Sequence, residues 1–340
     1  MMRHKILGCL YGAAYGDSLG ALTESCLREE IKHAFPEGCY EYADSISRIT
    51  KGIIPGQVTD DFGASIYLMK AIQRHNGDFN RRINEEALLD WSKDEIVFAK
   101  YAGQNSKSAI EKLKLGIAID EISKSNHFAR QNTNGGAMKV SPAALLAVSS
   151  IDEAIQYALT CCWPTHYNSA AASGACAIAC AVWCAQQISV TISDIVKAAI
   201  YGARKARQQL EKEGFAAAGP YVDYKIKEAA EIVRGITDPN ELLDCLNAVI
   251  GTKAAVQESI PAVFAILIAC SGDFKSCLNC AVNAGGDTDT IASMVCAITG
   301  GMHGIDVIDV NVIEKINTAN QFLNLAETIN DYTDLIMKRG

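Results

Sequence analysis

Proline, aromatic residues and basic charge are all sparse in this sequence. Only 7 of its 340 residues are proline and 7% are aromatic, while alanine, leucine and isoleucine dominate the apolar positions. Because prolines interrupt helices and aromatic residues favour strands, this balance suits helices better than sheets. The composition therefore predicts a mainly α-helical protein.

The lack of an excess of basic residues excludes two classes of partner. Lysine and arginine together number 31 against 39 acidic residues, which gives a formal net charge of −8. A protein that binds nucleic acid or anionic membranes would need a basic face. No apolar run approaches the roughly 18 residues of a membrane span. We expect neither a nucleic acid nor a membrane as partner, and the sequence leaves the oligomeric state open.

Cysteine is unusually frequent, with 13 residues in the chain. The cysteines are scattered through apolar helical runs, as at Cys176, Cys180 and Cys184, which is typical of reduced core thiols rather than of a disulfide framework. The apolar run near the N-terminus is short and glycine-rich and leads directly into a polar motif, so it does not predict a signal peptide. We therefore expect a cytoplasmic location.

The pattern of apolar residues predicts one compact multi-helix domain spanning residues 1–340. Apolar residues make up 49% of the chain, enough for a large core, and no linker-like stretch divides it. Short Val/Ile runs that would indicate parallel strands are few, the nearest being 53–54 and 307–312. Apolar positions recur instead at spacings of three and four, which is typical of helices. The clearest predicted helices are 60–75, 84–99, 151–161, 169–186, 192–212, 224–234, 241–249, 261–269, 291–298 and 310–326.

Three segments combine glycines with acidic or hydroxyl side chains in a way that a buried helix would not. They are Gly16–Gly20 followed by Glu24, Gly56–Asp61, and Gly285–Thr290. The last two place two aspartates and a threonine directly before an apolar helix. Such residues are also common helix caps, so either cluster alone would be weak evidence. Two similar clusters far apart in sequence predict a shared site assembled between helices.

Electrostatics favours cations in that site. Asp60, Asp61, Asp287, Asp289 and Glu24 would together bring five formal negative charges into one pocket. Carboxylates this close must take up protons or bind cations. Two divalent ions would supply most of the compensating charge, and ligation by oxygen alone favours Mg²⁺ or Mn²⁺ over Zn²⁺. The sequence thus predicts a site for two Mg²⁺ or Mn²⁺ ions.

These residues also carry a resemblance to a known family. Its markers are the GDSLG segment with Glu24, the TDD of residues 59–61, the NGGAM of residues 134–138, Thr165-His166, and the GGDTDT of residues 285–290. They occur in the same order as in ADP-ribosylglycohydrolases, which the chain resembles from Gly8 to about Gly304. The resemblance implies an all-α fold with the metal site between helices. It also implies an enzyme that removes ADP-ribose from arginine, serine or related acceptors.

The resemblance assigns roles to individual residues. The metal ligands would be Thr59, Asp60, Asp61, Asp287, Asp289 and Thr290. The catalytic carboxylates would be Glu24, Asp60 and Asp289. Substrate would be bound by Asn134, Gly135, Gly136, Ala137, Met138, His166 and Gly286. Apart from the resemblance, the acid of the GDSLG segment, Asp17, is predicted to support the ligand residues from behind, the alternative being that this segment is a helix-packing turn.

The reaction implied is metal-dependent hydrolysis of the bond at the anomeric carbon of a ribose. The ribose hydroxyls would be held by the ions, a water would be activated, and carboxylates would move protons, with acid and base not assigned separately. The substrate would be an ADP-ribosylated protein. Departures from the family's pattern at Phe62, Thr133 and Lys139 leave the acceptor open. The alternatives are a hydrolase of a small ribosylated metabolite or nucleotide derivative, a crystallin-like structural relative, and a regulatory protein that binds ADP-ribose without turnover.

Overall fold

The backbone is built from helices throughout the part of the chain that can be described. A computed structural model describes residues 2–118, 121–122 and 132–339. These residues form sixteen α-helices and no β-strand, and one isolated antiparallel bridge pairs Thr133 with Ala255. The predicted all-α class is confirmed. Among the same residues no helix is both long and apolar enough to span a bilayer.

The α-helices are connected by short turns and loops. They are α1 (Met2–Gly20), α2 (Arg28–Ala34), α3 (Asp60–Arg74), α4 (Arg81–Trp91), α5 (Gln104–Lys114), α6 (Ser141–Leu146), α7 (Ile151–Cys162), α8 (Ala171–Ala185), α9 (Ile192–Lys212), α10 (Val222–Ile232), α11 (Pro239–Cys245), α12 (Val256–Ala269), α13 (Phe274–Asn283), α14 (Thr288–His303), α15 (Val310–Ala319) and α16 (Leu325–Arg339). Single 3₁₀ turns occur at Asn134–Gly136, Ile305–Val307 and Gln321–Leu323, and a π-helical turn, Leu246–Ile250, follows α11. The two short Val/Ile runs therefore form no strand.

Capping side chains decide where several helices begin and end. Helix α9 has the predicted bounds, because Thr191 and Asp194 form a reciprocal capping box at its start. The predicted helix 84–99 ends earlier, at Trp91. There the Asp94 carboxylate accepts two backbone N–H bonds at 2.8 Å and closes a turn. The apolar spacing beyond Trp91 reflects packing of that turn rather than a helix.

The predicted helix 310–326 is interrupted for a similar reason. Helix α15 ends before Asn320, whose side-chain amide donates to the carbonyl of Gly56 at 2.8 Å and accepts from the Val58 N–H at 3.1 Å. Asn324 then adopts a left-handed backbone with φ of 50°, and α16 begins at the next residue. Asn320 thus ties the end of α15 to the segment that leads into α3.

Helices α1 and α14 pack in backbone contact at the centre of the molecule. A Cβ atom on Gly16 would lie 2.2 Å from the carbonyl oxygen of Ala292, and one on Gly8 would lie 2.2 Å from that of Gly300. Only glycine permits an approach this close. The GDSLG segment was expected to interrupt helical structure, but it lies inside α1, where its glycines serve this contact.

The thirteen cysteines are all free thiols, and eleven of them are buried. Cys176 and Cys180 lie on α8, a helix whose residues are almost all buried. In such surroundings cysteine packs as a small apolar residue. Most of the cysteines therefore belong to the core.

Four chain segments converge on one side of this core. Helix α1 ends at Gly20 and is followed by Glu24, while α3, α5 and α14 begin at Asp60, Gln104 and Thr288. Three helix N-termini and one loop therefore meet, and the predicted site residues lie at their junction.

Candidate active site

A cleft of about 350 Å³ lies where these segments meet. Most of the residues predicted for the site line it. They are Glu24, Thr59, Asp60, Asp61, Asn134, Gly135, Met138, His166, Asp287, Asp289 and Thr290. The clusters at residues 59–61 and 287–290 are more than 200 positions apart in the sequence but line the same cleft. This agrees with the predicted site assembled between helices.

The tightest group within the cleft consists of Glu24, Asp287 and Asp289. One carboxylate oxygen from each lies within 4.8 Å of the other two. Asp60 and Asp61 line the same cleft but are not members of this closest group. Glu24, which was predicted as a catalytic carboxylate, thus lies among the predicted metal ligands. The group could bind a metal ion.

Unpartnered oxygens support cation binding in the cleft. Among the described residues, Glu24 Oε2 and Asp61 Oδ2 are buried atoms with no hydrogen-bond partner. Buried polar atoms are nearly always paired in proteins, so oxygens left without a donor call for another partner. An all-oxygen set of carboxylates and hydroxyls fits a hard divalent cation. The residues present therefore suit such an ion.

Asp17 holds the start of α3 in place. Its side chain is fully buried and accepts hydrogen bonds from the backbone N–H of Thr59 and Phe62, both at 3.0 Å, and from the Thr59 hydroxyl at 2.7 Å. The Thr59 hydroxyl also accepts from the Asp61 N–H at 3.3 Å, as a helix cap does. Asp17 does not line the cleft, but it fixes the segment that presents Asp60 and Asp61.

The start of α14 is held differently. Gly285 and Gly286 adopt φ values of 76° and 77°, a left-handed conformation that favours glycine. Asp287 occupies the N-cap position, yet its side chain makes no capping bond. It accepts instead from the side-chain amide of Asn134. Its carboxylate therefore does not cap the helix, and Asp287 lines the cleft.

Burial and mutual repulsion act on the protonation of these carboxyls. Burial, followed by the neighbouring Asp289 carboxylate, raises the pKa of Asp60 and that of Asp287 to about 7. The same two causes raise the pKa of Glu24 and of Asp61 well above their ordinary values. Without a cation the cluster retains protons that free carboxylates would lose.

We expect the metal-free protein to be stabilised by Asp60→Asn at high pH and little changed at low pH. The folded-state pKa of Asp60 is about 7, against an ordinary value of 3.8. At a pH between these two pKa values the folded chain therefore binds more protons than the unfolded chain. The stability that is present below pH 3.8 is lost as the pH rises through the folded-state pKa of about 7. Melting in chelator should show almost no variant advantage below about pH 4 and an advantage of at least about 2 °C at about pH 8. A variant less stable than the natural protein at both pH values would contradict this reading.

A neutral histidine lies beside the acidic group. Burial, followed by the Lys139 ammonium, lowers the pKa of His166 to about 3. Its Nδ1 lies 2.9 Å from the Thr165 hydroxyl and its Nε2 lies 3.1 Å from that of Thr133. A Cβ atom on Gly135 would meet the His166 ring at 2.8 Å, so glycine is required there. His166 can therefore position or accept a hydrogen bond at the cleft, but it carries no charge near neutral pH.

Four predicted residues lie outside the cleft surface. Gly136 faces the Cys162 thiol, which a Cβ atom would approach to 2.8 Å, and Ala137 is completely buried. Gly286 lines an adjoining cavity, and Asp17 lies behind α3. The roles predicted for these residues remain predictions.

The cleft also contains residues that the sequence analysis did not single out. They are Ile49, Thr50, Tyr101, Gly103, Gln104, Asn105, Ser106 and Ala254, and the cleft also includes Thr133, which the sequence marked only as a departure from the family's pattern. Three of these residues, Gln104 to Ser106, begin helix α5, and Gly103 is its N-cap. The apolar spacing of Ala109, Ile110 and Leu113 was the available signal for this helix. The helix N-terminus thus directs backbone N–H groups toward the cleft.

Comparison with known proteins gives consistent results. The profile of a family described as ADP-ribosylglycohydrolase matches residues 1–339. The chain is 30% identical over 332 residues to the uncharacterized protein YegU of Escherichia coli K12, with 94% of each chain covered. It is 26% identical over 303 residues to an uncharacterized protein of Archaeoglobus fulgidus, with 88% of each covered. Its fold is similar to a solved structure titled "ADP-ribosylglycohydrolase-related protein complex", with a TM-score of 0.59, 18% identity, and coverage of 96% of this chain and 97% of the other.

Proposed function

This chain belongs to the ADP-ribosylglycohydrolase family, and on that premise we propose that it hydrolyses the ribosyl glycosidic bond of ADP-ribosylated substrates with the help of two Mg²⁺ or Mn²⁺ ions. One observation carries the proposal. Glu24, Asp287 and Asp289 converge within 4.8 Å beside Asp60 and Asp61, and the buried Glu24 Oε2 has no partner among the described residues. A purely structural protein would gain nothing from this arrangement, because clustered buried carboxylates destabilise a fold.

The proposed reaction exchanges one bond at the anomeric carbon of the ribose for another. The bond to the acceptor breaks, a bond to the oxygen of water forms, and the acceptor leaves with a proton. Bound divalent ions would supply Lewis acidity and orientation for the ribose hydroxyls and the water. Glu24 lines the cleft and its buried Oε2 has no partner among the described residues, so in this proposal its carboxylate would exchange a proton with the water or the acceptor. The buried surroundings keep bulk water away from these groups.

The remainder of the cleft suits a diphosphate. Apart from the site carboxylates, its described lining residues are all uncharged, and they include Gly135 and the first turn of α5. Backbone N–H groups at a helix N-terminus are well suited to bind phosphate oxygens. We therefore place the ADP portion of the substrate along Gly103 to Ser106, with the ribose at the acidic group.

The proposal is tested by release of ADP-ribose from two peptides, one ADP-ribosylated on arginine and one on serine. We expect chromatography to detect release from at least one peptide with Mg²⁺ or Mn²⁺, and none when a chelator is added. The acceptor preference follows from the same data. Cleavage of a small ribosylated nucleotide with no release from either peptide would instead support the metabolite alternative. Equal release with and without chelator would refute a metal-dependent reaction.

A further inference from the structure

The Glu24 carboxylate is bonded through one of its two oxygens. Its Oε1 accepts from the Ser25 hydroxyl at 2.9 Å, while its buried Oε2 has no partner among the residues that the structure describes. Hydrogen-bond partners of this kind orient carboxylates that bind metal ions. The bond from Ser25 therefore steadies the carboxylate and leaves its second oxygen available to an ion or a water.

Ser25 adopts a backbone conformation that serine seldom takes. Its φ is 57°, in the left-handed region where glycine is the usual residue. In the described part of the chain, none of the other non-glycine residues with positive φ follows a site carboxylate. Residues held in such conformations cluster at functional sites, where the surrounding structure keeps them in place. Glycine would fit this backbone at lower cost, so a serine here points to a use for its hydroxyl.

Main-chain hydrogen bonds hold Ser25 against the turn that leads into α14. The Ser25 N–H donates to the Gly286 carbonyl at 2.7 Å, and the Gly286 N–H donates to the Cys26 carbonyl at 3.0 Å. Gly286 directly precedes Asp287, which belongs with Glu24 to the closest carboxylate group. The Ser25 side chain itself is exposed to solvent. Removal of its hydroxyl should therefore leave these main-chain bonds and the core packing intact.

We propose that Ser25 is a positioning residue, whose hydroxyl holds the Glu24 carboxylate so that Oε2 stays available to a divalent ion or a reacting water. The inference rests on the proposed function, because Glu24 is the residue to which that function assigns proton transfer. The part of the inference that concerns the ion does not depend on which bond the protein cleaves.

Ser25→Gly and Ser25→Ala remove the hydroxyl in two ways, because glycine relaxes the left-handed backbone and alanine does not. With saturating Mn²⁺ and a peptide that the natural protein cleaves, we expect both variants to lower kcat at least about tenfold and to change KM less than about threefold. Mn²⁺ affinity, measured by electron paramagnetic resonance, should also fall about tenfold. The melting temperature of metal-free Ser25→Gly should stay within about 2 °C of that of the natural protein.

Ser189→Gly is the matched control. Ser189 is also an exposed serine with a left-handed backbone, at φ of 56°, and it lines neither the cleft nor the cavity that contains Ser25. The substitution relieves the same backbone conformation without touching a site carboxylate. We expect it to leave kcat, KM and Mn²⁺ affinity unchanged.

Three results would overturn the role of Ser25. One is full kcat and full Mn²⁺ affinity in both variants. Another is a loss in Ser25→Gly that Ser25→Ala does not share, since this would assign the effect to the backbone rather than to the hydroxyl. The third is a loss accompanied by a fall of more than about 5 °C in the melting temperature of Ser25→Gly, which would indicate a structural role.

Mn²⁺ affinity separates this inference from the proposed function. If the natural protein binds Mn²⁺ but cleaves neither peptide, the proposed function fails. Mn²⁺ binding about tenfold weaker in both variants would then still support the positioning of Glu24 by Ser25. An affinity unchanged by the substitutions, or no Mn²⁺ binding by the natural protein, would contradict it.

Discussion

Asp289→Asn is expected to lower ADP-ribose release by at least about a hundredfold and to weaken binding of divalent ions. Asp289 belongs to the closest carboxylate group, and its charge acts on Glu24, Asp60, Asp61 and Asp287 alike. A bound metal contributes several kcal/mol to the stabilisation of a transition state. Each loss of about 1.4 kcal/mol lowers a rate tenfold. Release is measured with saturating Mg²⁺ or Mn²⁺, and ion affinity by calorimetry.

The same substitution should leave the metal-free protein as stable as before or more so, because it removes repulsion among buried carboxylates. Loss of activity together with a melting temperature that does not fall therefore identifies a functional defect. Asp331→Asn, at an exposed position on α16, serves as the control and should retain full activity. If the Asp289→Asn protein binds ions and cleaves substrate normally, Asp289 is not part of the catalytic site.

Gly16→Ala should destabilise the fold by about 3 kcal/mol, the upper part of the usual range for overpacking. The added methyl group would lie 2.2 Å from the carbonyl oxygen of Ala292 and 2.6 Å from the N–H nitrogen of Ser293. Both atoms belong to the backbone of α14, so no side-chain rotation can relieve the clash. Helices α1 and α14 must separate, and the residues at the start of α14 move with them. Denaturant unfolding measures the loss of stability.

Gly103→Ala is the matched control for that experiment. A Cβ atom on Gly103 would meet no other atom within 4 Å, and its backbone φ of −68° suits any residue. Its free energy of unfolding should stay within about 0.5 kcal/mol of that of the natural protein. A Gly16→Ala protein as stable as the Gly103→Ala protein would show that α1 and α14 are not in backbone contact.

The sequence was sufficient to predict that the acidic residues form one site, because only a few residue types offer oxygen ligands to a metal ion. Thr59, Asp60 and Asp61 and the second cluster could be recognised by their oxygen donors alone. Their partner Asn134 could not be placed this way. It was predicted to bind substrate, and in the structure it lines the cleft and its side-chain amide donates to Asp287. An amide can bond to many groups, so its partner depends on tertiary packing.

Two features of the fold could not be inferred from local pattern. The glycines of the GDSLG segment indicated a turn, because isolated glycines usually weaken helices. Their spacing of four along α1 instead forms the surface against α14, and that partner lies almost the whole chain away. The cavity that adjoins the cleft at Gly286 has no local signal either, since its walls combine the loop after Glu24 with residues 247–258. Such surfaces arise only when distant helices pack.

The stoichiometry of divalent ions is the most direct test of the central claim that the acidic cleft is a metal-dependent catalytic site. The metal-free chain would be titrated with Mn²⁺ and the number of bound ions counted by native mass spectrometry, alongside ADP-ribose release from the two peptides. We predict two ions per chain, with release beginning only when they are bound. A chain that binds no ion at millimolar Mn²⁺ or Mg²⁺ would contradict the account.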